Sequence, residues 1–472
     1  MDLIQSQLAA FTDSIYAFVF FSVPLGFIGA PDLSVPIILI WLVAASVFFT
    51  FYLRFMNIRG LKHAFKLIRG DFYDPTATGR ITHFQALVTE LSGTVGLGNI
   101  AGVAIAVAKG GPGAVVWMIL AGFFGMSTKF AECTLGVKYR YKDKEGRVHG
   151  GPMYYLDKGL KKKGWNQWGK FFGVLFAICC VFATLGAGIA FQVNQSFIQF
   201  DNVIGGGTQA WMFGTVFAVI IGAVILGGIK SIANVASKVV PLMAIVYVGT
   251  ALVVIGMNYT EIPAAFSTIF TSAFNIEAGI GGLVGAFIAG ITRAAFSNEA
   301  GFGSAAIAHS AVKTKHPATE GFVAMTGPVF DTVIICTITA LVIVITGVYQ
   351  TGDGLGGVEM TSDAFATAFT WFPVVLAICV ILFAFSTIIS WSYYGCKSIN
   401  YLFDENIKVE TVFKIIACLF VILGAVMDLG TAIKFSEAVM FIMAVPNIIG
   451  LYILAPELRE DVNKYWKKHA KA

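Results

Sequence analysis

The sequence predicts an all-α protein that crosses a membrane many times, and three observations carry that prediction. Hydrophobic residues fill 57% of the 472 positions and charged residues only 12%, against about 25% charged in soluble domains; the mean hydropathy is +0.79. Apolar runs long enough to span, about 18 residues or more, recur at eleven places: 33–53, 83–108, 113–136, 171–199, 210–228, 239–257, 278–303, 322–348, 365–395, 411–427 and 434–455. Two of these runs, the second and the seventh, are interrupted at mid-depth by glycines and polar residues, TVGLGN at 94–99 and FSNEAGFGSA at 296–305.

Ahead of the first run, residues 15–30 are broken by Pro24 and Gly26 and lack a basic n-region. They are expected as an interfacial or partly buried part of the mature chain rather than a cleaved leader. Orientation follows from the basic residues, which cytoplasmic connections retain. Residues 54–82 hold six Lys and Arg, 138–170 hold ten, 229–238, 309–320 and 396–410 hold two each, and the tail from 456 holds five. The alternate connections carry only Lys109 and Lys434 beside Asp13, Asp32, Asp201, Glu261, Glu277, Asp353, Glu359, Asp363 and Asp428. The amino terminus is therefore expected outside and the carboxyl terminus in the cytoplasm, in a multi-pass protein of the plasma membrane.

Several function classes fall away. The net charge of +5 is mostly this inside bias, so nucleic acid is not an expected partner, and KKKGW at 161–165 is expected to touch anionic headgroups of the lipid bilayer. All seven cysteines lie in or at the edges of spans, and no disulfide framework is indicated. His63, His83, His149, His309, His316 and His469 fall in connections or at span ends, which leaves no metal cluster or Ser-His dyad at membrane depth. Ser304 is five residues from His309 and off its helical face. No enzyme is expected.

TVGLG, at 94–98, is one residue from the potassium-filter sequence TVGYG, which makes a cation channel one reading. A filter sits in a short re-entrant loop, however, whereas 83–108 reaches roughly 39 Å as helix and spans with an interruption. Glycines for close helix packing would explain Gly98 with Gly102 but not Thr94 and Asn99. The matching interruption lies five spans later, and an odd number of crossings inverts the second copy. That is an inverted repeat with broken helices meeting at the midplane, a plan used by secondary transporters. The chain then divides into 1–82 (N-terminal segment, extra span and basic linker), 83–257 and 278–455 (two five-helix repeats) and 456–472 (basic tail). Irregular backbone at that depth has to be buried or line a cavity, so a ligand site is implied. Half-helix amino termini suit a carboxylate and open carbonyls suit an ammonium or bare cation, so a small zwitterion fits both. Thr94, Asn99, Ser297 and Phe302 surround the site, with Gln192, Asn194 and Gln195 in FQVNQS from the fourth span; Gln192 and Gln195 either face it or are surface residues near the outer end.

The motifs TELSGTVGLGNIAG (89–102), GGPGAVVWMILAGFFG (110–125), TKFAE (128–132) and TRAAFSNEAGFGSA (292–305) resemble the signatures of the alanine or glycine:cation symporters along nearly the full chain. Members usually read GAIFWMW where this chain has Val116 and Ile119, positions away from the breaks. The resemblance implies a LeuT-like fold, sodium as coupling ion with no other cofactor, and small neutral amino acids, alanine and glycine, as substrates. It implies a carboxylate on the amides of Leu97 and Gly98, an amino group on carbonyls of Thr94, Phe296 and Ser297, and Phe302 closing over the side chain; Gln192 joins these substrate residues if its face of the fourth span turns to the site.

Proton coupling would need a carboxylate at a break, and Glu299 is available, but Glu90, Lys129, Glu132, Arg293 and Asp331 are expected as partners in structural ion pairs within the spans, with Arg293 in reach of Glu299 only if the helix turns back. Sodium takes uncharged oxygens instead. Ser386 and Thr387 in the ninth span offer adjacent hydroxyls, although mid-helix Ser and Thr also back-bond to their own helix. The resemblance sets the carbonyls of Ser92, Val95 and Phe383 opposite them as one sodium site, with Thr94, Asn99 and Ser297 as a second. Phe296 and Phe302, with Met325 or Trp391, would bound a compact apolar side-chain pocket.

Overall fold

The computed structural model describes residues 2–26, 30–72, 74–143, 146–274, 279–351 and 357–469. Glu277, Asp353, Lys144 and Lys471 of the charge pattern above lie outside the described residues. Among the described residues seven helices are long and apolar enough to cross a membrane: Ala114–Lys138, Asn166–Ile204, Gly228–Met257, Pro317–Thr346, Phe372–Leu402, Ile407–Val426 and Leu429–His469. Shorter apolar helices cover Ile37–Tyr52, Ala101–Gly110 and Ala210–Ile225.

Proline decides how the chain enters. The stretch expected at the interface is a helix, Asp2–Val19, followed by an antiparallel hairpin of Ser22–Leu25 with Ala30–Pro36. The first apolar run accordingly starts as strand and turns helical only at Ile37, because Pro36 sits extended at ψ 130° and Pro is tolerated before or at a first turn, not inside one. A second small hairpin joins Tyr141–Lys142 to Val148–His149. Among the described residues the other regular elements are helical, apart from an isolated parallel bridge between Ile81 and Val312.

The burial pattern is that of a chain with an apolar exterior and a partly polar interior. Val219, Leu226 and Ile245 are each 70% exposed, whereas Glu90, Lys129, Glu132, Glu320 and Asp331 are fully buried. A lipid-facing surface reads this way, since charges within spans turn inward to partners or to a site.

Both interrupted runs are broken helices. The second run is His83–Thr94 and Ala101–Gly110 with an irregular turn between them; the seventh run is Gly279–Asn298, followed after five residues by the short helix Ser304–His309. The first half-helix packs on Gly228–Met257 and Phe372–Leu402, and the second half packs on Gly279–Asn298, which in turn lies along Ala114–Lys138. Two further helices widen into π-helix, at Thr184–Ala190 and Val329–Cys336. Such segments concentrate at functional sites; the second sends Asp331 to the breaks, and the first offers the Ala187 carbonyl to Gln192, which meets the first break.

Candidate functional site

The first break begins where Val95 leaves helical geometry at ψ 86°. The backbone then turns on itself, with Asn99 N donating to Gly96 O at 3.1 Å and Gly102 N to Leu97 O at 3.0 Å. Asn99 holds the turn from inside. Its Oδ1 accepts from Gly96 N at 2.9 Å, while its Nδ2 donates to Ser297 Oγ and the Asp331 carbonyl, both at 3.1 Å, and to Asp331 Oδ1. An amide side chain is both donor and acceptor, which is why one residue can close its own turn and reach the other broken helix.

Ser297, at the end of the second broken helix, donates to Asp331 Oδ2 at 2.9 Å, and Thr332 donates to the same oxygen at 2.8 Å. Asp331 comes from the π segment of the eighth span, is fully buried, and every hydrogen-bond donor recorded to its carboxylate is a neutral side chain. Cys336 Sγ lies 3.3 Å from Ser297 Oγ and 3.4 Å from Asn99 Nδ2. Asp331 is the residue that sequence reasoning left among structural ion-pair partners; its signal was a lone acid in the apolar run PVFDTVIIC.

Of the substrate residues expected from the sequence, the structure brings Thr94, Leu97, Gly98, Gln192, Phe296 and Ser297 to this region. Gln192 is buried; its Oε1 accepts from Leu97 N and its Nε2 donates to Ala187 O in the first π segment, each at 3.0 Å. The Leu97 amide therefore already has a partner. A Cβ on Gly98 would meet Phe296 Cδ1 and Ser297 Cα at 3.5 Å, ordinary contact, whereas a Cβ on Gly96 would lie 2.5 Å from Thr387 Oγ1 and 2.9 Å from Gln192 Oε1. The tighter glycine is Gly96. Phe302 is fully buried with its ring 5.1 Å, edge-on, from Phe441, and Phe296 packs edge-on against Phe191 at 5.3 Å.

The ion ligands expected on the ninth span divide. Ser92 Oγ donates to Ser386 O at 2.7 Å, and Ser386 Oγ donates back to Phe383 O at 3.0 Å, so Ser92, Phe383 and Ser386 meet but spend hydroxyls on each other's backbone. Thr387 Oγ1 is buried without a partner and faces Gly96 beside Val95; Thr94 Oγ1 is buried without a partner too. A buried hydroxyl left unpaired costs about 1–3 kcal/mol, and each such group calls for a ligand. An uncharged oxygen set of this kind, with one carboxylate, fits a sodium ion.

Outside this set, Arg293 pairs with Glu437 rather than turning back to Glu299. Glu299 sits at φ 57° and accepts from Ser304 Oγ and, at 3.0 Å, from Trp391 Nε1. Met325 and Trp391 are fully buried. Asn194 donates to Met427 O at 2.7 Å, and Gln195 Oε1 accepts from Val358 N at 3.0 Å; both are buried, which removes the surface reading. The helix Val358–Ala366 is thereby tied over the break, and its Thr361 hydroxyl lies 3.4 Å from Ile100 O.

Comparison with known proteins bears on the fold and on the family. Among solved structures the fold is similar to MhsT in complex with L-phenylalanine, at a TM-score of 0.58 and 15% identity over 82% of this chain and 99% of that one. It is also similar to a Na+-coupled sialic acid symporter, at 0.51 and 12% over 88% and 98%. These likenesses establish a LeuT-like fold. In sequence the chain is 43% identical to the sodium/alanine symporter AgcS of Methanococcus maripaludis over 89% of this chain and 92% of that protein. It is 34% identical to the probable sodium/glutamine symporter GlnT of Bacillus subtilis over 92% and 88%. Residues 28–472 match the sodium:alanine symporter family, and with broken helices, a polar interior and relatives matched over nearly their whole length, the chain belongs to that family, whose members are transporters and not enzymes.

Proposed function

We propose that the protein is a sodium-coupled symporter that carries small neutral amino acids, alanine and glycine, into the cell by alternating access across the plasma membrane. The observation that carries this reading is Asn99, a single side chain hydrogen-bonded to both broken helices and to a buried carboxylate. A carboxylate surrounded by neutral donors favours a cation beside it, either sodium or a substrate ammonium. In this reading the amides at 97–98 face the substrate carboxylate, with Gln192 yielding the Leu97 amide as substrate enters. Phe296 bounds the side-chain space, and Phe302 closes the second break from the Phe441 side.

One sodium is held by Thr387 with carbonyls of Ser92, Val95 and Phe383 and the hydroxyl of Ser386. A second is held by Thr94, Asn99 and Ser297, to which Asp331 now adds its carboxylate. The orphaned hydroxyls of Thr387 and Thr94 support both assignments. Residues 83–257 and 278–455 act as the two inverted five-helix repeats within about eleven spans, joined to the extra span in 1–82 and ending in the basic tail 456–472, with the amino terminus outside and the carboxyl terminus in the cytoplasm.

Uptake of radiolabelled alanine into proteoliposomes, with and without an inward sodium gradient, tests the reading. Concentrative uptake that needs the sodium gradient is expected. Uptake driven equally by a proton gradient alone would favour proton coupling, and a sodium current indifferent to alanine, with no alanine accumulated, would favour a channel using TVGLG.

A further inference from the structure

Five ionisable side chains outside the transport site form a continuous chain of contacts between the two broken helices. His309, at the end of Ser304–His309, places Nε2 2.8 Å from Glu90 Oε2 and Nδ1 2.5 Å from Glu320 Oε2. The other Glu320 oxygen meets Nδ1 of His83, and the other Glu90 oxygen meets the Lys129 ammonium. None of the five side chains is more than 3% exposed.

The geometry fixes where the protons are. A neutral imidazole has one N–H and a charged one has two. Carboxylates only accept, so both His309 contacts are hydrogen bonds when His309 is an imidazolium. The charges agree: Glu90 and Glu320 are balanced by Lys129 and His309, and His83 donates to Glu320 through Nδ1. Removing one proton would leave a net negative charge in a buried site, a state that is strongly disfavoured. The other charged or titratable groups facing the cluster are Glu132 and Cys133 on Ala114–Lys138, Glu299 at the second break, Tyr394 on Phe372–Leu402, and Arg140 and Tyr465 near Glu320. Of these Glu132 and Glu299 add to the pull on the proton, and Arg140 opposes it.

We propose that this cluster is a proton-binding site in which one proton, carried by His309 between Glu90 and Glu320, is a ligand of the state that joins the two half-helices. Its consequence for transport rests on the symporter reading. His83 begins the first broken helix next to the basic connection 54–82, so the cluster lies on the cytoplasmic side of the breaks. A solute leaving that way requires His83–Thr94 and Ser304–His309 to part. On parting, His309 gives its proton to cytoplasmic water and becomes an ordinary neutral histidine, while Glu90 keeps Lys129; on rejoining it takes a proton back, and none is consumed. Protons thus stabilise the joined state. That stabilisation is complete below the value of a solvated histidine, about 6.5, and declines as pH rises above it, so opening is easier in alkali.

Two measurements on the full chain test this separately from the symporter reading. Histidine nitrogen NMR of the wild-type protein at about pH 8, where solvated histidines are neutral, should retain one imidazolium signal, absent from the double variant His309→Gln/Glu320→Gln. That variant leaves Glu90 balanced by Lys129 and avoids the unpaired charge of His309→Gln alone. Six neutral histidines in the wild type would overturn the proton site, whether or not the protein moves alanine. Sodium-driven alanine uptake, with equal pH on both sides, should rise about threefold or more between about pH 6.5 and about pH 9 in the wild type and stay flat in the double variant. The same slope in both would overturn the link to opening.

Discussion

The two breaks differ in what holds them open. The first, between Thr94 and Ala101, is closed by its own asparagine, and none of its non-glycine residues has positive φ. The second, between Asn298 and Ser304, bends through positive φ at Glu299, Gly301 and Gly303, and residues far away in sequence pin it. Glu132 accepts from Gly303 N at 3.0 Å and from Asn447 at 2.7 Å, and Asn447 also donates to Gly301 O at 2.8 Å. A Cβ on Gly303 would lie 2.4 Å from Pro152. The first break is a turn closed from within by Asn99, beside unspent hydroxyls; the second is a strained passage wedged into its neighbours. Ligand sensitivity is therefore expected to concentrate in the first and stability in the second.

The sharpest way to break this contrast is Asn99→Ala. It leaves the Gly96 amide unsatisfied, detaches the first break from Ser297 and removes a donor from Asp331, so alanine uptake should fall by about a hundredfold or more, with about 1–3 kcal/mol of stability lost. Uptake within a few-fold of wild type in the folded variant would make the bridge dispensable. Next comes Asp331→Asn, which should raise the half-saturating sodium concentration about tenfold, equivalent to about 1.4 kcal/mol. Unchanged sodium dependence with weakened alanine binding would assign Asp331 to the ammonium instead.

Glycine position sharpens the comparison further. Gly96→Ala forces its methyl onto Thr387 and Gln192 and should lower uptake about tenfold, within the 1–3 kcal/mol range of overpacking, while Gly98→Ala changes it about twofold. Gly98→Leu, which reaches past Phe296, should abolish alanine binding without unfolding the protein. Equal effects of the two alanine variants would remove the steric argument. A smaller split is expected on the ninth span: Thr387→Ala should raise the sodium requirement about threefold and Ser386→Ala less, because the Ser386 hydroxyl is returned to its own helix. Smallest of all is Glu299→Gln, whose amide oxygen still accepts from Trp391 Nε1 while its NH2 donates to Ser304 Oγ, reversing that one bond, and which should cost less than about 1 kcal/mol. Abolished sodium-driven uptake in that folded variant would move coupling to a proton at the second break.

Much of this architecture was legible because glycine, asparagine and serine have no business in the middle of an apolar run unless the helix stops there. That logic located both breaks, Asn99 and Ser297 among them. Asp331 was less legible because its partners are 34 and 232 residues away and its run reads as one continuous span; nothing local distinguishes a carboxylate in a site from one in an ion pair. His83 and His309 read as span-end residues for a similar reason. A histidine beside a loop becomes a buried cation only when Glu90 and Glu320 arrive from other helices. The entry hairpin escaped notice because the apolar content of 33–36 outweighed the two prolines that bound it.

The π segment Val329–Cys336 adds a different kind of vulnerability. In an α-helix each residue advances the chain by about 100° around the axis, so one residue fewer in that segment would rotate everything on one side of it away from everything on the other. Asp331 would leave Asn99 and Ser297 although no side chain had been changed. The chemistry of this site thus depends on a count of residues as much as on their identity, and single-codon insertions or deletions, harmless in most connections, should be as damaging here as the loss of the carboxylate itself.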